Sequence, residues 1–232
     1  MREMNIPESG SKRKLLDAAE QLFADQGFEA VSVRDITKLA KTNVAAVNYH
    51  FGSREELLAL VMMRFMLPVT EERLLRLDAL ERKWAGKSVP LEEIIDALVR
   101  PLATRVKKSD LSERMFYKLM GRIFAQQGDV LPGPIEEQIK QTAVRFTKAF
   151  AKALPSVSPE ELAWKIHFLM GGMIHMLTHQ DVLDRISGGA SGAPTMETTL
   201  GRFIRYSASG LRDGVATDAI PVKNAPQAIF NF

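Results

Sequence analysis

The sequence predicts an all-α chain. Apolar residues recur at helical spacing along nearly every segment, and no stretch alternates apolar and polar residues as a half-buried strand would. Capping residues and Gly or Pro breaks also punctuate the chain at helix-length intervals. A hydrophobic fraction of 46% supplies a sizeable core, and 25% charged residues leave room for a solvated surface, which argues against a mainly disordered chain. The absence of cysteine excludes disulfides and thiolate metal sites and fits a reducing compartment.

The first helix is marked by the stripe Leu15, Leu16, Ala19, Leu22 and Phe23, with Gly27 ending it. Ser32 is a good N-cap, and Ser32-Val33-Arg34-Asp35 approximates a capping box. Val33, Ile36, Leu39 and Ala40 then form the expected buried face of a short second helix. Lys41-Thr42-Asn43 is a three-residue turn, and Asn43 can cap a third helix running to about Phe51. Gly52 ends that helix. Ser53-Arg54-Glu55-Glu56 reads as a capping box opening a fourth helix, which should extend to about Leu67 and break or kink at Pro68.

Further helices are expected over about 69–85, 91–107, 111–127, 134–153, 159–185 and 195–213, separated by Gly-, Pro- and Ser-rich breaks. Pro159 after Ser158, followed by Glu160 and Glu161, is a strong start signal. Residues 214–232 read as an irregular tail. The polar segment before Ser11 lacks a signal peptide's apolar run, and no apolar stretch reaches membrane-spanning length, so the expected location is cytoplasmic.

An amphipathic helix followed by two short helices around a three-residue turn matches the helix-turn-helix plan, in which the second helix of the pair enters the DNA major groove. The third helix is only about 10 Å long at 1.5 Å per residue and can read few base pairs. Val47 and Phe51, four residues apart, should anchor it, leaving Ala45, Ala46, Asn48 and Tyr49 outward. A net charge of +3 contributes little to this reading. Within residues 11–56 the basic side chains are matched one for one by acidic ones, so only their placement could favour DNA.

The run LLDAAEQLFADQGFEAVSVRDITKLAKTNVAAVNYHFGSREELLALV resembles the N-terminal domain of the TetR family of regulators. It does so in helix spacing, in its AA..LF...GF opening and in its YHFGSREEL ending. The resemblance implies an N-terminal three-helix DNA-binding domain over 1–52 and a larger helical ligand-binding and dimerisation domain over 53–213. It implies a homodimer formed through the helices at about 159–185 and 195–213, a palindromic double-stranded operator, and release by a small-molecule effector. At matching positions Val44, Ala45, Ala46 and Asn48 are expected at base edges. Asn48 can pair bidentately with adenine, and the apolar side chains can meet thymine methyls. Ser32, Thr42, Tyr49, His50 and Arg54 are expected at phosphates, which position without reading sequence. Charge adds Lys12, Arg13 and Arg34 as backbone contacts. One departure stands out: Lys41 occupies a turn position where many members carry glycine, at a cost of about 1 kcal/mol if its φ is positive.

In the C-terminal half, Phe116, Met120, Phe124, Phe146, Phe150, Trp164 and Phe168 are candidates to line an apolar effector cavity, joined by Met115, Met170, Met173 and Met176. The segment NVAAVNYHFGSREEL further resembles the PsrA-like, fatty-acid-responsive group of the family, implying an acyl effector. Arg105, Lys118, Arg122, Lys140 and Arg145 could form the basic mouth such a ligand requires. Gly171-Gly172 signals close backbone approach to a partner or ligand. The competing reading is a helical metal-binding protein or metal-responsive regulator using His167, His175 and His179, spaced at multiples of four. A helical adaptor without DNA binding is a third reading. No nucleophile–base pair, phosphate loop or paired-carboxylate signature is present, so neither catalysis nor a cofactor is expected.

Overall fold

A computed structural model describes residues 10–105, 133–192 and 194–213, and every regular element among them is helical. The elements are α1 (Ser11–Gln26), α2 (Val33–Ala40), α3 (Val44–Phe51), α4 (Arg54–Lys83), α5 (Leu91–Arg105), α6 (Gly133–Ala153), α7 (Pro159–Thr178), α8 (Gln180–Ile186) and α9 (Met196–Arg212). The expected helix over 111–127 and the tail at 214–232 lie outside the described residues.

The first three helices pack against one another around Leu15, Phe23, Ile36, Val47 and Phe51, all buried. The local signals translate directly into caps. Ser32 accepts from the Asp35 N–H while the Asp35 side chain accepts from the Ser32 N–H, completing a capping box. Asn43 caps α3 by accepting from the Ala46 N–H at 2.9 Å. One detail of α2 differs from expectation. Leu39 is exposed, and Thr37 takes the buried position, its hydroxyl donating to the Arg34 carbonyl at 3.1 Å.

Lys41 adopts φ 53°, ψ 47°, the left-handed conformation its place in the turn implied. It is the one non-glycine residue with positive φ among those described. Replacing it with glycine should raise stability by roughly 0.5–1 kcal/mol, because relief of strain exceeds the added chain entropy. Thermal denaturation of Lys41→Gly checks this, and an unchanged or lowered Tm contradicts it.

The largest departure is α4. The helix runs without interruption through Pro68 for 30 residues, absorbing the separate helix expected over 69–85. Pro68 removes one backbone hydrogen bond, a local cost of about 3 kcal/mol. Phe65, Met66, Val69 and Thr70 are buried on both sides of it, so packing against the rest of the core overrides that cost. The start of α4 packs on α1 and α3, and α4 also packs on α5 and α6. It is therefore continuous with both the head and the helical core. Arg64 of α4 secures the first of these contacts, pairing with Asp17 at 2.7 Å and Glu20 at 3.2 Å on α1.

The long helix expected over 159–185 divides into α7 and α8 at His179, whose φ of −128° and ψ of 32° leave the helix. The cause is local. Thr178 Oγ1 donates to the Ile174 carbonyl at 2.8 Å and lies 2.6 Å from His179 Nδ1, offering side-chain bonds that compete with helix continuation. α9 lies against α5, held by Arg100 to Glu197 at 2.6 Å and by Arg212 to Glu92 at 2.5 Å.

Candidate nucleic-acid interface and effector cavity

α3 is held from one side only. Val47 and Phe51 are buried, whereas Val44, Ala45, Asn48 and Tyr49 are exposed, Tyr49 by 86%. Ala46 is half-buried at the edge of this face. Asn48 and Tyr49 thus offer a hydrogen-bonding amide and a phenol on a protruding helix, and Arg34 is exposed on neighbouring α2. Ser32 and Arg54, two of the other expected phosphate groups, are engaged within the protein. Ser32 Oγ donates to Asp35 Oδ2 at 2.5 Å, and with the Ser32 N–H it holds the Asp35 carboxyl below the usual carboxylate range. The Thr42 hydroxyl is shielded from solvent.

Arg54 departs furthest from a phosphate-facing role. Its Nε donates to the Val31 carbonyl at 3.0 Å and its Nη2 to the Phe28 carbonyl, with the guanidinium 5.9 Å from the centre of the Phe23 ring. It pins the start of α4 to the loop between α1 and α2. His50 Nε2 lies 2.7 Å from Ser11 Oγ, linking the end of α3 to the start of α1. Lys12 lies 5.9 Å from the Phe51 ring centre. The Ser11–His50 link was not visible in the sequence, because the partners are far apart and neither belongs to an apolar pattern.

In the helical core, Phe146 and Phe150 line a cavity of about 360 Å³ between α4, α5, α6 and α7. Met170 and His167 also line it. The structure does not bring Trp164 and Phe168 there. They stack on each other with ring centres 5.9 Å apart, and are 55% and 66% exposed on the outer face of α7. Phe116, Met120 and Phe124 lie outside the described residues, as do Met115, Lys118 and Arg122. Met173 is buried and Met176 half-buried, and neither is among the described residues lining this cavity; Met176 lines a separate cavity with Phe203 and Tyr206.

The expected basic mouth is also altered. Lys140 is exposed, and Arg145 pairs with Asp78 at 2.6 Å and Glu81 at 2.9 Å, which raises its already high pKa. A different cation reaches the cavity: Arg73 of α4, only 5% exposed. Burial pushes its guanidinium down to about 10, still charged at neutral pH. The sequence signal was weak, since Arg73 sits in EERLLRLDALERK, a run that reads as a solvated helix face.

The histidine-based metal alternative finds no support among the described residues. His175 and His179 stack with ring centres 4.7 Å apart, whereas His167 lines the cavity near Phe146. No group of three or more His, Cys, Asp or Glu side chains among the described residues could hold a metal ion. Gly172 does mark a close approach, but within the chain: a Cβ there would meet Phe203 Cε2 at 3.2 Å, while one on Gly171 would meet nothing within 4 Å. No helix among the described residues is long and apolar enough to cross a membrane.

Two family models match the chain. Residues 15–61 match that of bacterial regulatory proteins of the tetR family, and residues 96–210 match a tetracyclin repressor-like C-terminal domain. Among curated proteins, the chain is 36% identical over 59 residues to the HTH-type transcriptional repressor KstR2 of Rhodococcus jostii. It is 36% identical over 55 residues to the probable HTH-type transcriptional regulator YttP of Bacillus subtilis. These matches span 25% and 24% of this chain, and only 29% and 27% of the two relatives.

Solved structures extend the likeness in fold. A TetR-like transcriptional regulator from Rhodococcus sp. RHA1 superposes with a TM-score of 0.60 at 19% identity, covering 90% of this chain and 100% of its own. A tetR-family transcription regulator from Shewanella sp. PV-4 gives 0.59 at 12% identity, covering 87% and 98%.

Proposed function

The chain belongs to the TetR family of bacterial regulators, and from that premise we propose that it is a ligand-responsive repressor binding a palindromic operator as a homodimer. The observation that carries this reading is α3, anchored by Val47 and Phe51 with Asn48 and Tyr49 outermost. Asn48 reads a base edge, Val44, Ala45 and Ala46 supply apolar contact, and Tyr49, His50 and Arg34 meet the backbone. Ser32, Thr42 and Arg54 support that surface by shaping it rather than by touching phosphate. Residues 1–52 form the DNA-reading part, 53–213 the sensing and dimerising part, and 214–232 an appended tail.

The dimer uses the outer face of α7 and α9. Trp164, Phe168 and Tyr206 are large and exposed there, the kind of patch a partner covers. Both heads of the dimer must present α3 about 34–36 Å apart, one turn of B-DNA. An apolar, acyl-type effector in the core favours a dimer with different spacing and shifts the population off DNA. The PsrA-like segment of α3 supports the acyl assignment.

Fluorescence anisotropy with duplex DNA from upstream of the chain's own coding sequence tests the reading. Binding should weaken steeply with salt. Asn48→Ala and Tyr49→Ala should each weaken it about tenfold with Tm unchanged. Wild-type affinity in both variants would remove α3 as the reading helix.

A further inference from the structure

We propose that the cavity between α4, α5, α6 and α7 takes an apolar monocarboxylic acid whose carboxylate is received by Arg73. The inference rests on the effector-responsive reading above and deepens it by naming the ligand's chemistry and its anchor.

Arg73 is the anomaly that carries it. Arg64, Arg76, Arg100 and Arg145 each meet a carboxylate, at 2.7, 2.8, 2.6 and 2.6 Å. Arg73 is more deeply buried than any of these, yet no carboxylate pairs with it among the described residues. Its Nε donates to the Leu98 carbonyl at 2.6 Å, and its Nη2 lies 3.8 Å from the Met173 sulfur. A guanidinium carries five N–H donors, so a carbonyl and a thioether leave most of the fork unused. A buried charge without a counter-ion is costly, and an anion bound beside it would offset that cost.

The cavity around it has the matching character. Among the described lining residues, Ile139, Phe146, Phe150 and Ile174 supply apolar wall, and Thr142 and His167 are polar side chains beside it. Its volume of about 360 Å³ lies in the range of small-molecule sites. One buried positive charge offsets one negative charge. A carboxylate carries one, whereas a phosphate monoester carries about −1.5 to −2 at neutral pH. The planar fork also suits two carboxylate oxygens in parallel.

The placement also connects to DNA. Arg73 and Arg64 share α4, nine residues or about 14 Å apart at 1.5 Å per residue. Arg64 is the residue paired with α1 of the head. A carboxylate at Arg73 therefore acts on the helix that carries the DNA-reading unit.

Calorimetric titration of the full chain with sodium octanoate and with 1-octanol tests this, in wild type and in Arg73→Met. Octanoate should bind wild type at least about tenfold tighter than octanol, the effect of hydrogen bonds to a charged group. In Arg73→Met that preference should vanish while octanol binding persists. Equal affinities in wild type, or a preference that survives in Arg73→Met, would overturn the proposal. Should Arg73→Met not fold, Arg73→Lys keeps the charge without the fork, and should retain a reduced preference; an undiminished one overturns the fork. Operator binding is measured on the same preparation. Operator binding without carboxylate preference defeats this inference alone, and carboxylate preference without operator binding defeats the regulator reading alone.

Discussion

Replacing Arg54 with alanine is expected to cost about 2–3 kcal/mol of stability and to weaken operator binding as strongly as removing a direct contact. The side chain donates to the carbonyls of Phe28 and Val31, both in the loop that sets α2 against α1. It also lies against Phe23, which packs on Phe28 with ring centres 5.4 Å apart. Hydrogen bonds from a charged donor contribute about 1.5–3 kcal/mol each, and partial exposure places these at the lower end. Alanine would leave two loop carbonyls without their donor and free α2 to shift relative to α3. Denaturation and anisotropy on Arg54→Ala and Arg54→Lys decide the matter. If Arg54 only touched phosphate, lysine would keep most of the affinity and neither variant would lose stability. The clamp predicts the reverse: lysine recovers little, because a point charge cannot replace the fork.

Arg54 also illustrates what the sequence could and could not say. Its capping neighbours were legible, since an N-cap depends on residues three apart. Ser32, Asn43 and Ser53 each accept the backbone N–H their spacing implied. Val47 and Phe51 were equally legible, because burial at i and i+4 is a helical rule. The destination of a long side chain is not. Arg54 reaches back 26 residues to Phe28, and Arg73 reaches Met173 across 100.

Local rules also failed where tertiary packing outweighed them. Pro68 is a break signal that α4 ignores, because buried residues on either side hold the helix in place. Trp164 and Phe168 failed differently. Aromatic residues at helical spacing suit a cavity wall and a subunit interface equally well, and only the fold shows that they face outward. His167, His175 and His179 share a helical spacing, yet the break at His179 and the cavity placement of His167 leave no common ligand geometry.

The second large effect is expected at Gly52, where alanine should cost about 2–3 kcal/mol and lower operator affinity further than the lost stability explains. Gly52 joins α3 to α4 with φ 82° and ψ −56°, a conformation an L side chain rarely adopts. A Cβ there would also clash with Glu56 Oε2. The two causes can be separated. The Glu56 carboxylate ends a flexible side chain and can move away, whereas the backbone strain cannot be relieved without rotating α3 against α4. Adding Glu56→Ala to Gly52→Ala should therefore recover only part of the lost Tm, and full recovery would assign the whole effect to the clash. Operator affinity is the sharper readout. Ser53 starts α4 by accepting from the Glu56 N–H at 3.0 Å, one residue beyond this hinge. A change in φ at Gly52 re-aims α3 while leaving its own Val47 and Phe51 anchors intact. Two re-aimed helices no longer meet half-sites one turn apart, so Gly52→Ala should lose DNA binding under conditions where the chain remains folded.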